Sequence, residues 1–126
     1  MSKTFKPTES ELDILSILWE KQRATVREVH EIIQLTKEVG YTTTLKLMQI
    51  MHEKGLVSRD ESSKTHIYIP CFEKVKAQEQ YVGKMIKTLF SGSTSQLVMQ
   101  ALGNHKASQE DLSEIKQLIE SLEKRK

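Results

Sequence analysis

Residues 41–57 read YTTTLKLMQIMHEKGLV, and they predict a helix that leads directly into a β-strand. The helix runs from about Thr42 to Lys54, and Gly55 ends it because glycine readily adopts the left-handed conformation found after a helix. A short β-like run follows at 56–59, then turn residues at 60–65 and an alternating run at 66–69 that Pro70 closes. We therefore predict a helix followed by a two-stranded hairpin.

Two capping boxes upstream predict two further helices. Thr8 precedes Glu11 and Thr25 precedes Glu28 by three positions, the spacing that satisfies the free N–H groups of a helix start. Apolar residues then recur at helical spacing, through Trp19 in the first helix and through Ile33 in the second. Three helices and a hairpin are the order of a winged helix-turn-helix, which places its third helix in the major groove of DNA.

The second half of the chain predicts three more helices. One apolar face covers about residues 73–90, residues 96–102 predict a short and fully buried helix, and Ser108 begins the last helix. About 55 residues bury too little surface for an independent core. A second copy of these helices is the favoured partner, and packing against the chain's own winged helix is the alternative. The predicted dimerisation residues are Val82, Ile86, Leu89, Leu97, Val98, Leu118 and Leu122.

These patterns predict a mainly α protein with two domains. Residues 1–71 form a winged helix-turn-helix and residues 72–126 form a helical dimerisation domain. No run approaches the roughly 18 apolar residues of a membrane span, and no apolar run follows the first lysines, so we expect no secretory signal. The single cysteine, Cys71, excludes an internal disulfide framework and is expected to be a small buried residue. We predict a cytoplasmic protein.

Composition leaves the partner undecided and argues against catalysis. The net charge is +2, and residues 1–70 carry ten basic and ten acidic side chains, so charge does not point to nucleic acid. The sequence has no glycine-rich phosphate loop and no nucleophile motif. The four histidines show no metal-ligand spacing: His30, His52, His66 and His105. We predict neither an enzyme nor a cofactor or metal site.

The outer face of the third helix carries side chains that suit double-stranded DNA. The residues of this face are Thr42, Lys46, Gln49 and Glu53, with Thr43 at its edge. Hydroxyls and a lysine at a helix start suit phosphate contacts, whereas Glu53 would repel phosphates and is expected to lie off the contact surface. Gln49 is able to read an adenine edge, and Lys46 a guanine or a phosphate. Arg27 and Lys64 are further candidates, from the second helix and the wing. The alternatives are a threonine-rich cap, solvated surface charges, or a winged helix that contacts only proteins.

The ordered set of segments resembles the BlaI/MecI family of repressors of penicillin and methicillin resistance genes. The segments are TESELDILSILWE (8–20), ATVREV (24–29), YTTTL (41–45) through EKGLV (53–57), IYIP (67–70) and QLVMQAL (96–102). The resemblance covers nearly the whole chain. It implies dimers that bind operator palindromes, with Thr42, Thr43, Lys46 and Gln49 at the DNA-reading positions.

The chain also departs from the family pattern. Ile50 stands where the family often has arginine, which removes a DNA contact. In the resistance branch a membrane-bound sensor protease triggers cleavage, and the matching bond is Gln100–Ala101 in place of the usual Asn–Phe pair. The copper-responsive branch has clustered cysteines near its C-terminus, and no cysteine follows Cys71 here.

Overall fold

Helices and one hairpin build the part of the chain that this computed structural model describes, residues 7–125. The order of elements is α1 (Glu9–Lys21), α2 (Val26–Ile33), α3 (Tyr41–Lys54), β1 (Val57–Asp60), β2 (Ile67–Pro70), α4 (Lys74–Thr88), α5 (Thr94–Asn104) and α6 (Gln109–Lys124). The predicted class is confirmed: three helices, a two-stranded wing and further helices give a winged helix-turn-helix with a C-terminal helical part.

The predicted capping boxes begin α1 and α2. Thr8 Oγ1 accepts from the Glu11 N–H, and Thr25 Oγ1 accepts from the Glu28 N–H, both at 3.2 Å. The side chain of each glutamate accepts in turn from the backbone N–H of its capping threonine. Helix α3 begins at Tyr41, slightly before the predicted start, and Gly55 follows it with φ +84°. This left-handed backbone suits glycine and turns the chain into β1.

Residues 7–81 form one compact unit around an apolar core. Each helix contributes the residues of one face, because side chains three and four positions apart lie on the same side of a helix. The buried apolar residues are Ile14, Leu15, Leu18, Ala24, Val26, Val29, Ile33, Met48, Met51, Leu56, Val57, Tyr68 and Ala77. This core fixes α3 and the wing on one scaffold.

The wing is an antiparallel pair in which Val57 faces Pro70 and Arg59 faces Tyr68. Tyr68 also bridges to Ala24, so the hairpin is tied to the segment between α1 and α2. The prediction that Cys71 is buried was wrong, because its side chain is exposed. The N–H of Cys71 donates to Leu56 O at 2.9 Å, which anchors the backbone while the thiol lies at the surface.

The contacts of the chain separate between Tyr81 and Val82, whereas the sequence predicted a boundary after residue 71. The first part of α4 belongs to the first unit because Ala77 is buried there and the Tyr81 hydroxyl donates to the Pro7 carbonyl. In the second unit, none of residues 82–125 is buried. The prediction of a fully buried helix at 96–102 was therefore wrong for the single chain, since so short a segment cannot enclose a helix.

No helix among residues 7–125 has the length and apolar character needed to cross a membrane.

Candidate nucleic-acid interface

The outer face of α3 is exposed along its length. Thr42, Thr43, Lys46 and Gln49 are all exposed. On the opposite side of the helix the core holds Thr44, Met48 and Met51. The structure therefore presents all four predicted α3 residues to solvent on a helix anchored by its other face.

The N-terminus of α3 differs from those of α1 and α2. Among the described residues none caps it with a side chain, and no acidic residue stands in its first turn. Gly40 precedes the helix in an extended conformation. The first N–H groups of a helix and its dipole attract anions. The start of α3 thus offers donors to a phosphate beside the exposed Thr42 and Thr43.

An open cleft of about 540 Å³ lies between the start of α2, the face of α3 and the wing. We call it the α3–wing cleft. Three cations line it, and none of the described residues that line it is acidic. The lining residues are Thr25, Val26, Arg27, Tyr41, Leu45, Gln49, Arg59, Lys64, Thr65, His66 and Tyr68. The cleft is therefore positively charged, although residues 1–70 carry no net charge.

Two carboxylates of this unit are held in ion pairs away from the cleft. Glu11 is buried and binds Lys54 at 2.8 Å, and Asp13 pairs with Lys37. Hydrogen bonding to Asp13 raises the pKa of Lys37, with the carboxylate charge adding to the effect. These two carboxylates lie away from Arg27 and Lys64, whose fields act locally, whereas Arg59 is paired with Glu61 at 2.6 Å. Net charge alone conceals this separation.

A chain of contacts connects the core to the cleft through Tyr41. His30 is buried, and its Nδ1 lies 2.9 Å from Thr44 Oγ1. The His30 ring packs edge-to-face on Tyr41, with ring centres 5.4 Å apart and an interplanar angle of 84°. On the cleft side, Arg27 Cζ lies 5.9 Å from the centre of the Tyr41 ring, a cation–π distance. Tyr41 thus holds Arg27 beside α3.

The turn of the wing is ordered by short-range hydrogen bonds. The Ser62 N–H donates to Asp60 Oδ1 at 3.0 Å, and Ser63 Oγ donates to Thr65 O at the same distance. The bonds from Ser62 lower the pKa of Asp60, and Arg23 at 3.3 Å adds to this shift. The turn therefore carries the exposed Lys64 on a defined backbone at the edge of the cleft.

The structure brings together three of the six predicted DNA-binding residues. Arg27, Gln49 and Lys64 line the α3–wing cleft, whereas Thr42, Thr43 and Lys46 lie on the exposed face of α3 outside that lining. Sequence reasoning missed the other eight lining residues, among them Tyr41, Arg59 and His66. The period-two alternation of β1 was the available signal for Arg59, because it places Arg59 on the same face of the strand as Val57.

The predicted dimerisation and cleavage residues lie in α4–α6 of the second unit. Leu89 is 72% exposed and Leu118 57%, large fractions for leucine in a helix. Gln100 and Ala101 are exposed on α5. The other predicted dimerisation residues are exposed or half-buried: Val82, Ile86, Leu97, Val98 and Leu122. Among residues 7–125, no group of histidine, cysteine and carboxylate side chains has the geometry of a metal site.

The fold and its basic cleft define a winged helix-turn-helix protein with an additional helical unit. The chain belongs to the penicillinase repressor family, whose model matches residues 7–121. It is 22% identical over 118 residues to the methicillin resistance regulatory protein MecI of Staphylococcus aureus (strain N315), covering 94% of this chain and 96% of that protein.

Two further relatives extend the comparison. The penicillinase repressor of Bacillus licheniformis is 20% identical over 126 residues, which is 100% of this chain and 98% of the relative. The transcriptional regulator BlaI of Mycobacterium tuberculosis (strain CDC 1551 / Oshkosh) is 27% identical over 96 residues, 75% of this chain and 67% of its own length. The BlaI/MecI resemblance predicted from the segments is confirmed by these matches.

Proposed function

We propose that this chain is a sequence-specific, DNA-binding transcriptional repressor that acts in the cytoplasm as a homodimer on operator palindromes. Its membership of the penicillinase repressor family supports the repressor role. The observation that carries the DNA-binding role is the α3–wing cleft, which Arg27, Arg59 and Lys64 line together with Gln49, and no carboxylate stands among its described lining residues. Cations in this arrangement neutralise phosphates and release counterions.

Recognition of a particular sequence falls to α3 in this proposal. Gln49 and Lys46 reach base edges in the major groove, while Thr42 and Thr43 contact phosphates and thymine methyl groups at the helix start. Arg27 and Lys64 bind the flanking backbone from the two sides of the cleft. The positions of these side chains on one exposed, anchored surface support this division of roles.

Dimerisation falls to the second unit. Its apolar side chains, among them Leu89, Leu118 and Leu122, are about half exposed or more in the single chain. Such an apolar surface marks an interaction site. A second copy is the simplest cover for such a face, since isologous contacts bury the same residues on both chains. Two linked winged helices then bind two half-sites with the added affinity of an intramolecular second contact.

Proteolysis is the proposed route of release. A cut between Gln100 and Ala101 separates α6, with Leu118 and Leu122, from the rest of the chain. Both residues at the bond are exposed, which supports access by a protease once α5 frays. A membrane-bound sensor protease is the partner implied by the family resemblance. A chain truncated after Gln100 should therefore bind a palindromic operator far more weakly than the full chain.

The test is binding of the full chain to its own upstream DNA, measured by fluorescence anisotropy at several salt concentrations. We expect tight binding to a two-fold-symmetric site. The logarithm of the binding constant should fall linearly with the logarithm of the salt concentration, with a slope of about −0.9 for each phosphate neutralised. Lys46→Ala should weaken binding, whereas Lys21→Ala, an exposed lysine at the end of α1, should not. Binding no tighter than to random DNA would instead favour a winged helix that contacts proteins.

A further inference from the structure

Arg59 is the least obvious cation of the α3–wing cleft and the most constrained. It lies on β1 opposite Tyr68, with its Cζ 5.9 Å from the ring centre and its Nη1 3.4 Å from the Tyr68 hydroxyl. Its side chain is only 21% exposed, yet it lines the cleft. Tyr68 itself belongs to the core. The guanidinium is therefore held in a fixed position at the wall where DNA is proposed to bind.

A carboxylate occupies one edge of this guanidinium. Arg59 Nε donates to Glu61 Oε2 at 2.6 Å, and Glu61 lies just past the end of β1. Hydrogen bonding from Arg59 and its positive charge lower the pKa of the Glu61 carboxyl, so Glu61 is ionised at neutral pH. The planar fork of an arginine binds carboxylate and phosphate with the same donors. Glu61 thus uses a donor that a DNA phosphate would also use.

We propose that Glu61 competes with DNA phosphate for Arg59, so that Arg59 exchanges the carboxylate for a phosphate when DNA enters the cleft and Glu61 holds affinity below its maximum. This inference rests on the DNA-binding function proposed above. Glu61 is half-exposed and is not among the residues that line the cleft, so it is able to swing into solvent when displaced. An exposed ion pair of this kind contributes little and breaks readily.

The neighbouring carboxylate Asp60 does not share this property. It accepts from the Ser62 N–H and binds Arg23, which does not line the cleft. Asp60 therefore orders the turn, whereas Glu61 engages a cleft cation. The two adjacent acidic residues have different roles because Glu61 binds a cation that lines the cleft and Asp60 binds one that does not.

The experiment measures operator binding of the full chain and of Glu61→Gln by fluorescence anisotropy over a salt series. We expect Glu61→Gln to bind about two- to five-fold more tightly, the range set by exposed ion pairs, and to show a steeper salt dependence. The gain should be equal on random DNA, because a phosphate contact carries no sequence information. Glu31→Gln, which removes a charge from an exposed position on α2, is the matched control and should give a smaller gain.

A double-mutant cycle separates competition from general repulsion. In an Arg59→Met background, Glu61→Gln should no longer tighten binding. Arg59→Gln serves the same purpose if the methionine variant loses the native fluorescence of Trp19. The inference is overturned if Glu61→Gln binds DNA with unchanged affinity, or if its gain persists without Arg59. In either case, salt-dependent DNA binding by the native chain still upholds the proposed function. Absence of salt-dependent binding by the native chain overturns both.

Discussion

The Nζ atom of Lys54 lies 2.8 Å from Oε2 of Glu11, which joins the last residue of α3 to the first turn of α1. Glu11 is only 2% exposed, and its other oxygen accepts from both Lys54 and the Thr8 N–H. Both oxygens of the Glu11 carboxylate therefore accept hydrogen bonds, although the side chain is buried. This contact holds the C-terminal end of α3 against the scaffold.

Lys54→Met should destabilise the first unit because it leaves the Glu11 charge buried without its cation. Removing one partner of a fully buried pair costs about 3–5 kcal/mol, and the partial exposure of Lys54 reduces the expected loss to about 2 kcal/mol. Urea unfolding followed by the fluorescence of Trp19, the single tryptophan, measures the change. Lys46→Met, on the exposed face of α3, is the control and should stay within about 0.5 kcal/mol of the native chain.

Thr44→Val should destabilise the same unit through His30. The buried Nδ1 of His30 loses the hydroxyl that lies 2.9 Å away, and an unsatisfied buried polar group costs about 1–3 kcal/mol. Thr43→Val makes the same chemical change at the neighbouring exposed position and should alter stability little. Equal urea midpoints for the two variants would contradict this role of the His30–Thr44 pair.

Tyr41→Leu should weaken DNA binding by about two- to five-fold, the value of an exposed cation–π contact, because it removes the ring that positions Arg27. Tyr41→Phe retains the ring and should bind nearly as the native chain does. In an Arg27→Ala background the leucine substitution should have no further effect. Anisotropy titrations at one salt concentration are sufficient, and a full effect in that background would indicate a direct contact of Tyr41 with DNA.

Leu118→Asp should prevent self-association and lower operator affinity, since it places a charge in the proposed dimer interface on α6. Leu35→Asp is the matched control, because Leu35 is 80% exposed in the first unit. Sedimentation equilibrium should show a dimer for the native chain and for Leu35→Asp, and a monomer for Leu118→Asp. A monomeric native chain, or a dimeric Leu118→Asp variant, would refute the proposed interface.

Stability should decline at alkaline pH through Tyr81. Burial raises the pKa of its phenol above the ordinary 10.0, and the charges of Glu11 and Glu9 add to the shift. Since the folded state binds this proton more tightly, its contribution is complete below pH 10 and is lost as pH rises through the folded pKa. Urea midpoints between pH 8 and 11 should fall less for Tyr81→Phe than for the native chain, and parallel curves would count against this assignment.

The sequence by itself determined the order of elements in this protein. Capping boxes at Thr8 and Thr25, the helical spacing of apolar residues and Gly55 after α3 are local signals, and they depend on interactions within a few residues. The exposed face of α3 followed from the same periodicity, since Thr44, Met48 and Met51 alternate with its outward residues. Family resemblance was also present in the ordered segments.

Only the tertiary structure decided which residues line the α3–wing cleft. Arg27 lies on α2, Tyr41 on α3, and Arg59 and Lys64 on the wing. A count of charges over residues 1–70 reads as neutral because it does not show where each charge lies. The same limit explains the errors at Cys71 and at α5, where burial was inferred from residue type alone. Burial and local charge depend on which surfaces meet, and that is a property of packing between distant segments.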